Sequence, residues 1–181
     1  MTNTTVFSAI GAFILGALVA LGADHFVFKP KDQRDAMETI GGFQGWRLTC
    51  PPRTTKGGNC VMQQALARKG TGQVLAELNI AKNKDNADVM TVIAPLGVFI
   101  LPGVKVSAGN SGEKAVAYKT CVQMGCVASF PIDSKLATAM TQASGLQVTV
   151  VADGKPVPLN FPLAGYSEAL AARAADAAAR K

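Results

Sequence analysis

The first 23 residues of this 181-residue chain contain no charged side chain, whereas all four cysteines lie in the charged remainder. Residues 6–22 form an apolar run, which extends past Asp24 and His25 to Phe28. A helix needs about 20 apolar residues to cross the hydrocarbon core of a bilayer. The run therefore predicts a transmembrane anchor over residues 1–28, ahead of a region with a different composition.

A cleavable signal peptide is the alternative interpretation of this segment. Ala20 and Gly22 place small residues where a signal peptidase could cut before Ala23. However, no lysine or arginine precedes the run, and the run exceeds the usual apolar core of about 7–15 residues. Small residues also recur at every fourth position, at Ala12, Gly16 and Ala20, which permits close helix packing in lipid. These features favour a retained anchor.

The predicted anchor supplies the expected contacts with lipid or with a membrane partner. His25, the only histidine in the chain, lies where the span ends. A polar residue at the membrane interface is the simplest interpretation of it, and a quinone or metal ligand is the alternative. The predicted contact residues are Phe7, Ala12, Phe13, Gly16, Ala20 and His25.

The cysteines and the flanking charges predict opposite orientations of the span. Basic residues between positions 29 and 34 follow the run, and the positive-inside rule would keep them cytoplasmic. The cysteines form two close pairs, Cys50 with Cys60 and Cys121 with Cys126. Such a framework persists in the periplasm and not in a reducing cytosol, and long domains translocate largely regardless of charge. We therefore predict a single-pass inner-membrane protein with its C-terminal domain in the periplasm.

The remainder of the chain divides by composition into three segments. Residues 29–42 read as a charged juxtamembrane linker, residues 43–165 as one β-rich domain, and residues 166–181 as an alanine-rich helix. Ser167 is the expected cap of that helix. Because alanine buries little surface, the helix is expected to fray or to dock on a partner.

Apolar and polar residues alternate through much of the β-rich domain. Trp46, Leu48 and Cys50 alternate with polar residues, which predicts a strand with one face towards a core. Asp153-Gly154 lies between two such runs and is a strong hairpin signal. Short strands at this spacing predict an antiparallel sandwich or barrel.

Strands account for most of this domain, and one short helix interrupts them. Asp133 or Ser134 is expected to cap the helix, and Gly145 is expected to end it. The predicted strands span residues 46–50, 60–66, 74–80, 89–96, 98–106, 115–121, 126–131, 146–151 and 156–161.

Local pairing is the favoured connectivity of the cysteines, although three connectivities are open in principle. Cys50 and Cys60 flank one loop, and Cys121 and Cys126 flank a shorter one. Opposed strand positions lie close to bridging distance. Zinc is disfavoured because nine residues separate the first pair and the chain has a single histidine. No C-x-x-C redox motif or haem motif occurs, so no metal or cofactor is expected.

No arrangement of residues indicates catalysis, and we predict that the protein is not an enzyme. A histidine-based triad is excluded from the domain because the only histidine lies at position 25. The net charge of +6 is scattered and lacks the aromatic-rich basic stripe of a nucleic-acid site. An anionic membrane surface or an acidic partner fits this charge better. No small-molecule substrate is indicated.

Three apolar residues are candidates for an interaction surface. Trp46 most simply packs over the Cys50 bridge, and an exposed binding anchor is the alternative. Phe99 and Ile100 lie in residues 95–102, the longest apolar run after the anchor. This run is either a buried strand or a hydrophobic loop that touches a membrane or a partner.

Four motifs follow one another in the β-rich domain. They are Phe43-x-x-Trp46-x-x-x-Cys50, Cys60-x-Met62-Gln63, Cys121-x(3)-Gly125-Cys126-x-Ala128 and Leu163-x-Gly165-Tyr166-x-x-Ala169-Leu170. In this order, over residues 42–170, the chain resembles the invasion-associated locus B family of bacterial exported proteins. The resemblance implies an immunoglobulin-like β-sandwich in the periplasm or at the cell envelope, with disulfides at the four cysteines and no established enzymatic activity. Family members typically carry a cleavable signal peptide, whereas the N-terminal run of this chain predicts a retained anchor.

These features together predict a membrane-anchored periplasmic interaction protein. Its expected role is that of an accessory or stabilising subunit of an inner-membrane protein assembly. One alternative is an exported envelope factor in host-cell invasion, as the family name implies. The other alternative is a redox or metal-binding periplasmic protein.

Overall fold

The computed structural model describes residues 38–52, 54–55 and 58–180. The predicted anchor and the six contact residues assigned to it, from Phe7 to His25, lie outside this range. Within the described residues, no helix is long and apolar enough to cross a membrane.

Seven strands form the larger of two sheets, and every neighbouring pair in it is antiparallel. In chain order these strands are β1 (Glu38–Phe43), β2 (Trp46–Cys50), β3 (Val61–Ala67), β4 (Val74–Lys82), β5 (Asp88–Ala94), β8 (Thr120–Val122) and β9 (Gly125–Pro131). Their spatial order is β1-β2-β3-β4-β5-β9-β8. Consecutive hairpins therefore build the first five strands of the sheet.

Four strands form the smaller sheet, which is also antiparallel throughout. They are β6 (Val104–Ala108), β7 (Lys114–Val116), β10 (Gly145–Ala152) and β11 (Lys155–Pro162), in the spatial order β11-β10-β6-β7. The predicted Asp153-Gly154 hairpin joins β10 to β11, with both turn residues at positive φ, as a two-residue type I′ turn requires.

One hydrophobic core takes side chains from both sheets. Trp46, Leu48 and Cys50 are buried and the residues between them are not, as the alternation predicted. Leu78 of the larger sheet and Val148 of the smaller sheet are fully buried in the same cluster. The fold is thus mainly antiparallel β, with two sheets around one core, and the immunoglobulin-like assignment stays a prediction.

The short helix α1 (Ser134–Gln142) lies between β9 and β10. Asp133 caps it as expected, because its carboxylate accepts a hydrogen bond of 2.9 Å from the Leu136 N–H. Leu136 and Met140 are buried on one face of the helix. Gly145 does not end the helix but begins β10, since the helix already stops at Gln142.

The C-terminal helix α2 (Tyr166–Ala179) departs from two expectations. Ser167 is not its cap; the cap position is Gly165, which adopts a left-handed conformation with φ of 80°. The helix packs on β1, β2 and β3 of its own domain, whereas the sequence predicted that it would fray or dock on a partner protein. Tyr166 and Arg173 are buried against the domain, and these large side chains supply the contacts that alanine cannot.

Two predicted strands are wrong in extent because the chain changes sheets there. Residues 98–103 are a loop, and β6 begins only at Val104. Pro102 has no backbone N–H, so it cannot donate a hydrogen bond to a neighbouring strand, and this disfavours a strand that starts before Val104. The single strand expected over residues 115–121 divides into β7 and β8, since β7 pairs with β6 in one sheet and β8 pairs with β9 in the other.

Strand β1 lies partly inside the range assigned to the linker. It begins at Glu38 and runs through Gly41-Gly42 to Phe43, pairing with β2. The register shifts between Thr39 and Gly41, which is how an edge strand accommodates two glycines. Because glycine is uncommon in strand interiors, Gly41-Gly42 favoured a linker over a strand at this position.

Candidate functional site

The Cys50–Cys60 disulfide lies beneath the last turns of α2, and both cysteines are buried. Asp176 Oδ2 lies 3.1 Å from Cys60 Sγ. Since a disulfide sulfur carries no proton, this is a close contact rather than a hydrogen bond. Arg180 forms an ion pair with Asp176 and donates a hydrogen bond of 2.8 Å to the Pro51 carbonyl. The end of the helix is thereby fastened to the disulfide loop.

Cys50, Cys60 and Asp176 bring three atoms of metal-ligating type within 4.8 Å of one another. A metal binds cysteine as the thiolate, and here both sulfurs are joined in the disulfide. The Asp176 carboxylate is already paired with Arg180. In this oxidised state the cluster supports the fold and does not favour the redox or metal-binding alternative.

The Cys121–Cys126 disulfide links the hairpin of β8 and β9, in which these two residues are direct partners. Cys126 is buried, whereas Cys121 is exposed. Reduction requires a thiolate to reach a sulfur atom. The two disulfides therefore differ in accessibility.

We expect limited treatment with dithiothreitol to open Cys121–Cys126 several-fold faster than Cys50–Cys60. Differential alkylation of the full chain, followed by peptide mass analysis, measures both rates in one sample. Denatured protein is the control, because unfolding removes the difference in burial. Equal rates in the native protein would contradict the described burial of Cys50 and Cys60.

Trp46 is buried, so its place among the candidates for an interaction surface, the alternative of an exposed binding anchor, is wrong. Its side chain is 1% exposed. The indole packs on the ring of Tyr166, with ring centroids 5.3 Å apart, and Nε1 donates a hydrogen bond of 3.2 Å to the Pro162 carbonyl. Trp46 follows the alternation of β2, whose inward face also holds Leu48 and Cys50.

Most of the exposed large apolar side chains of the described residues gather at one end of the domain, which we call the apolar end. Phe99 and Ile100 lie there and are about half exposed, and Leu101 and Met124 are 84% and 76% exposed. The sequence predicted Phe99 and Ile100 but not the others. The run over residues 95–102 was a signal for Leu96 and Leu101 as well, whereas the remaining members lie outside that run. The apolar end consists of Val74, Leu96, Phe99, Ile100, Leu101, Val122 and Met124.

Strand register places these residues together. Ala94, the last residue of β5, pairs with Cys126, so the chain leaving β5 meets the β8–β9 turn. Glu77 of β4 pairs with Ile93 of β5, so Val74 at the start of β4 lies at the same end of the strands. The Cys50–Cys60 disulfide lies at the opposite end of the strands, because the register from β2 through β3 leads to the end of β4.

The loop that carries most of the apolar end is held by its backbone. The Phe99 N–H donates a hydrogen bond of 2.8 Å to the Val151 carbonyl, and Val98 forms an isolated bridge with Ala152 of β10. Val98 itself is buried. The loop thus presents its apolar side chains outward from a fixed position between the two sheets.

The charges around the apolar end are mainly basic. The surrounding segments are residues 68–73, 95–103, 117–125 and 152–157, and their charged side chains are exposed. Four are basic and one is acidic, namely Arg68, Lys69, Lys119, Lys155 and Asp153. The apolar end therefore carries a positive rim.

A second group of charges lies between α2 and the larger sheet, beside a cavity of about 280 Å³. Arg173 is buried and pairs with Asp88 at 2.8 Å, and Lys82 lies 3.7 Å from the same carboxylate. One guanidinium nitrogen of Arg173, Nη1, has no hydrogen-bond partner among the described residues. Its accessible area is nearly zero. The ion pair of Arg173 with Asp88 ties the helix to the sheet.

Among the residues that the structure describes, three ionisable side chains have displaced pKa values. The hydrogen bond from the Leu136 N–H, together with Lys114, lowers the pKa of the Asp133 carboxyl. Burial raises the pKa of the Tyr118 and Tyr166 phenols. The described residues include no histidine, and their ion pairs each join a carboxylate to lysine or arginine. None of these groups forms a recognisable acid–base pair.

The fold and surface define a disulfide-linked, mainly antiparallel β-domain with one exposed apolar end. A family model described as invasion associated locus B (IalB) protein matches residues 46–174. The chain belongs to this family, as its motifs predicted.

Two curated relatives are similar over most of their length. An invasion protein B homolog of Brucella abortus strain 2308 is 29% identical over 172 residues, which cover 91% of this chain and 94% of that protein. The homolog from B. abortus biovar 1 strain 9-941 gives the same values.

A solved structure shares the fold. The crystal structure of invasion associated protein b from Bartonella henselae matches with a TM-score of 0.63 and 20% identity, over 77% of this chain and 96% of that one. At this identity the likeness concerns the fold alone.

Proposed function

We propose that this protein is an exported contact protein of the cell envelope, and that the apolar end is its contact surface. The observation that carries this proposal is the exposure of Phe99, Ile100 and Leu101 together with Met124 on a neighbouring turn. Soluble domains rarely leave such neighbouring apolar side chains in water unless a partner covers them. Two disulfides and backbone bonds fix the position of this surface.

The proposal is one of binding rather than catalysis. The charged clusters of the described domain pair lysine or arginine with carboxylates, and these pairs link parts of the fold. Preorganised acid–base groups around a pocket are the usual mark of an enzyme. The exposed apolar end is the feature of the described surface that calls for a partner.

An oxidised domain also supports export. Both disulfides are formed within local hairpins and loops, and such bonds persist in the periplasm or beyond it. With the apolar segment at residues 6–22, this supports an inner-membrane protein whose domain lies in the periplasm.

Site-directed photo-crosslinking in the organism that encodes the protein tests the contact surface. A photoreactive phenylalanine analogue replaces Leu101 in the full chain, and the matched control replaces Gln142, an exposed residue of α1 at the opposite end. We expect abundant adducts from position 101 and few from position 142. Equal yields at the two positions, at equal protein levels, would refute the proposal.

The identity of the adducts separates two forms of this function. Adducts with one membrane protein support the accessory or stabilising subunit that the sequence predicted. Lipid adducts support direct contact with a bilayer. Either result keeps the apolar end as the contact surface.

A host-cell invasion factor is the second candidate, favoured by the names of the Brucella relatives. Its test replaces the chromosomal gene with a double variant, Phe99→Ser with Leu101→Ser, and compares entry into cultured host cells with a Gln142→Ser strain. We expect reduced entry for the double variant alone. Normal entry by a strain lacking the gene would reject this candidate.

A further inference from the structure

We infer that the apolar end binds an anionic lipid surface, in which its apolar side chains enter the bilayer interface and its basic rim meets the headgroups. This inference rests on the proposed function and names the class of partner. Three features of the described surface lead to it: the residue types, the charge and the shape of the apolar end.

The residue types fit lipid better than protein. The apolar end consists of Val, Leu, Ile, Met and one Phe, with no Trp or Tyr. Protein hot spots are enriched in Trp, Tyr and Arg and poor in Leu and Val. Interfacial membrane surfaces carry Trp, Phe and Leu on their apolar face beside lysine and arginine, and the apolar end shares the Phe, the Leu and the basic neighbours of such surfaces.

The charge fits an anionic surface. In the four segments around the apolar end the basic side chains are Arg68, Lys69, Lys119 and Lys155, and the acidic side chain is Asp153. Each lysine or arginine near an anionic leaflet strengthens binding by about fivefold. The whole chain is also basic, with a net charge of +6, which favours association with the same kind of surface.

The shape fits insertion rather than burial in a groove. The most exposed side chains, Leu101 and Met124, come from two different turns, and Val74 comes from the edge of a third. Turns that project single apolar side chains match the boundary between the headgroups and acyl chains of a bilayer. The backbone hydrogen bond from the Phe99 N–H to the Val151 carbonyl holds the loop in place, so the loop loses little conformational entropy on binding.

A tryptophan placed in the apolar end tests this directly. Phe99→Trp is made in the full chain, and Gln142→Trp is the matched control at the opposite end. Emission from the buried Trp46 is subtracted with the unmodified protein. The probes are phosphatidylcholine vesicles with brominated acyl chains, with and without phosphatidylglycerol.

We expect the residue-99 tryptophan to shift to shorter wavelength and to be quenched in vesicles that contain phosphatidylglycerol. The residue-142 tryptophan should show neither change, so insertion of residues 6–22 alone cannot mimic the result. An unquenched residue-99 tryptophan in these vesicles would overturn the lipid inference. Protein adducts at position 101 in cells would then still support the contact function, whereas equal adducts at positions 101 and 142 would remove both.

Charge reversal supplies the second arm. In the Phe99→Trp background, Lys69→Glu should weaken quenching by phosphatidylglycerol vesicles about fivefold or more. Lys84→Glu is the matched control, because Lys84 is exposed in the turn between β4 and β5, at the opposite end. Equal effects of the two reversals would contradict a role for the basic rim.

Discussion

Replacing Trp46 with alanine is expected to lower the free energy of unfolding by about 3–5 kcal/mol. The indole is almost fully buried, packs on Tyr166 and donates to the Pro162 carbonyl. It therefore joins β2, the end of β11 and the start of α2, and its loss leaves a cavity where these elements meet. Circular dichroism during urea unfolding of the full chain in mild detergent measures the change, since the substitution removes the only tryptophan.

A conservative variant separates packing from hydrogen bonding at this position. Trp46→Phe keeps a ring against Tyr166 but loses the donor to Pro162, and we expect a cost of about 1–2 kcal/mol. A loss below about 1 kcal/mol for Trp46→Ala would show that the indole is not in the core. That result would also reopen Trp46 as an exposed binding residue.

Replacing Gly165 with alanine is expected to cost about 3 kcal/mol or more. Gly165 has φ of 80°, and a Cβ atom built on it would lie 2.2 Å from the Phe43 carbonyl oxygen. An alanine therefore combines backbone strain with a collision that pushes α2 away from β1. The same unfolding measurement reports the loss.

Gly70→Ala is the matched control for this collision. Gly70 has nearly the same φ, 86°, but a Cβ there would meet nothing within 4 Å. It should show only the conformational cost, about 1 kcal/mol. Equal losses for the two variants would mean that the contact between Gly165 and Phe43 does not position the helix.

Period-two alternation predicted the inward face of β2, and the hairpin signal predicted the β10–β11 turn, because both depend on local chemistry. The sequence failed where the chain leaves one sheet for the other. Residues 98–103 and 117–119 have strand-like composition, but they connect a strand of one sheet to a strand of the other. Which residues pair in such a connection depends on the sheet topology and not on the local sequence. The same crossing exposes the apolar side chains of the first segment.

The helix α2 shows a different limit of sequence analysis. Its alanines predicted weak packing, whereas Tyr166, Arg173 and Asp176 are buried and hold it to the sheet. Arg173 finds Asp88, 85 residues away, and Asp176 contacts Cys60, 116 residues away. Such long-range partners are not visible in the spacing of a single segment.

The residues that carried the family resemblance are mostly structural. Trp46, Met62, Ala128 and Tyr166 are all buried, as is Gly165. They specify the core and the docking of α2 rather than a binding site. The apolar end, with Leu101 and Met124, falls outside those motif positions, so the resemblance predicted the scaffold and not the contact surface.

The accessibility of Met124 in cell envelopes tests the contact surface most directly. Met124 is highly exposed, and an added Gln142→Met substitution supplies an exposed reference at the opposite end. Hydrogen peroxide converts exposed methionine to the sulfoxide, and mass analysis gives both rates in one molecule. We predict that Met124 oxidises several-fold more slowly in isolated envelopes than in the purified full chain, while the reference rate is unchanged. An unchanged ratio of the two rates would contradict the assignment of the apolar end as the contact surface.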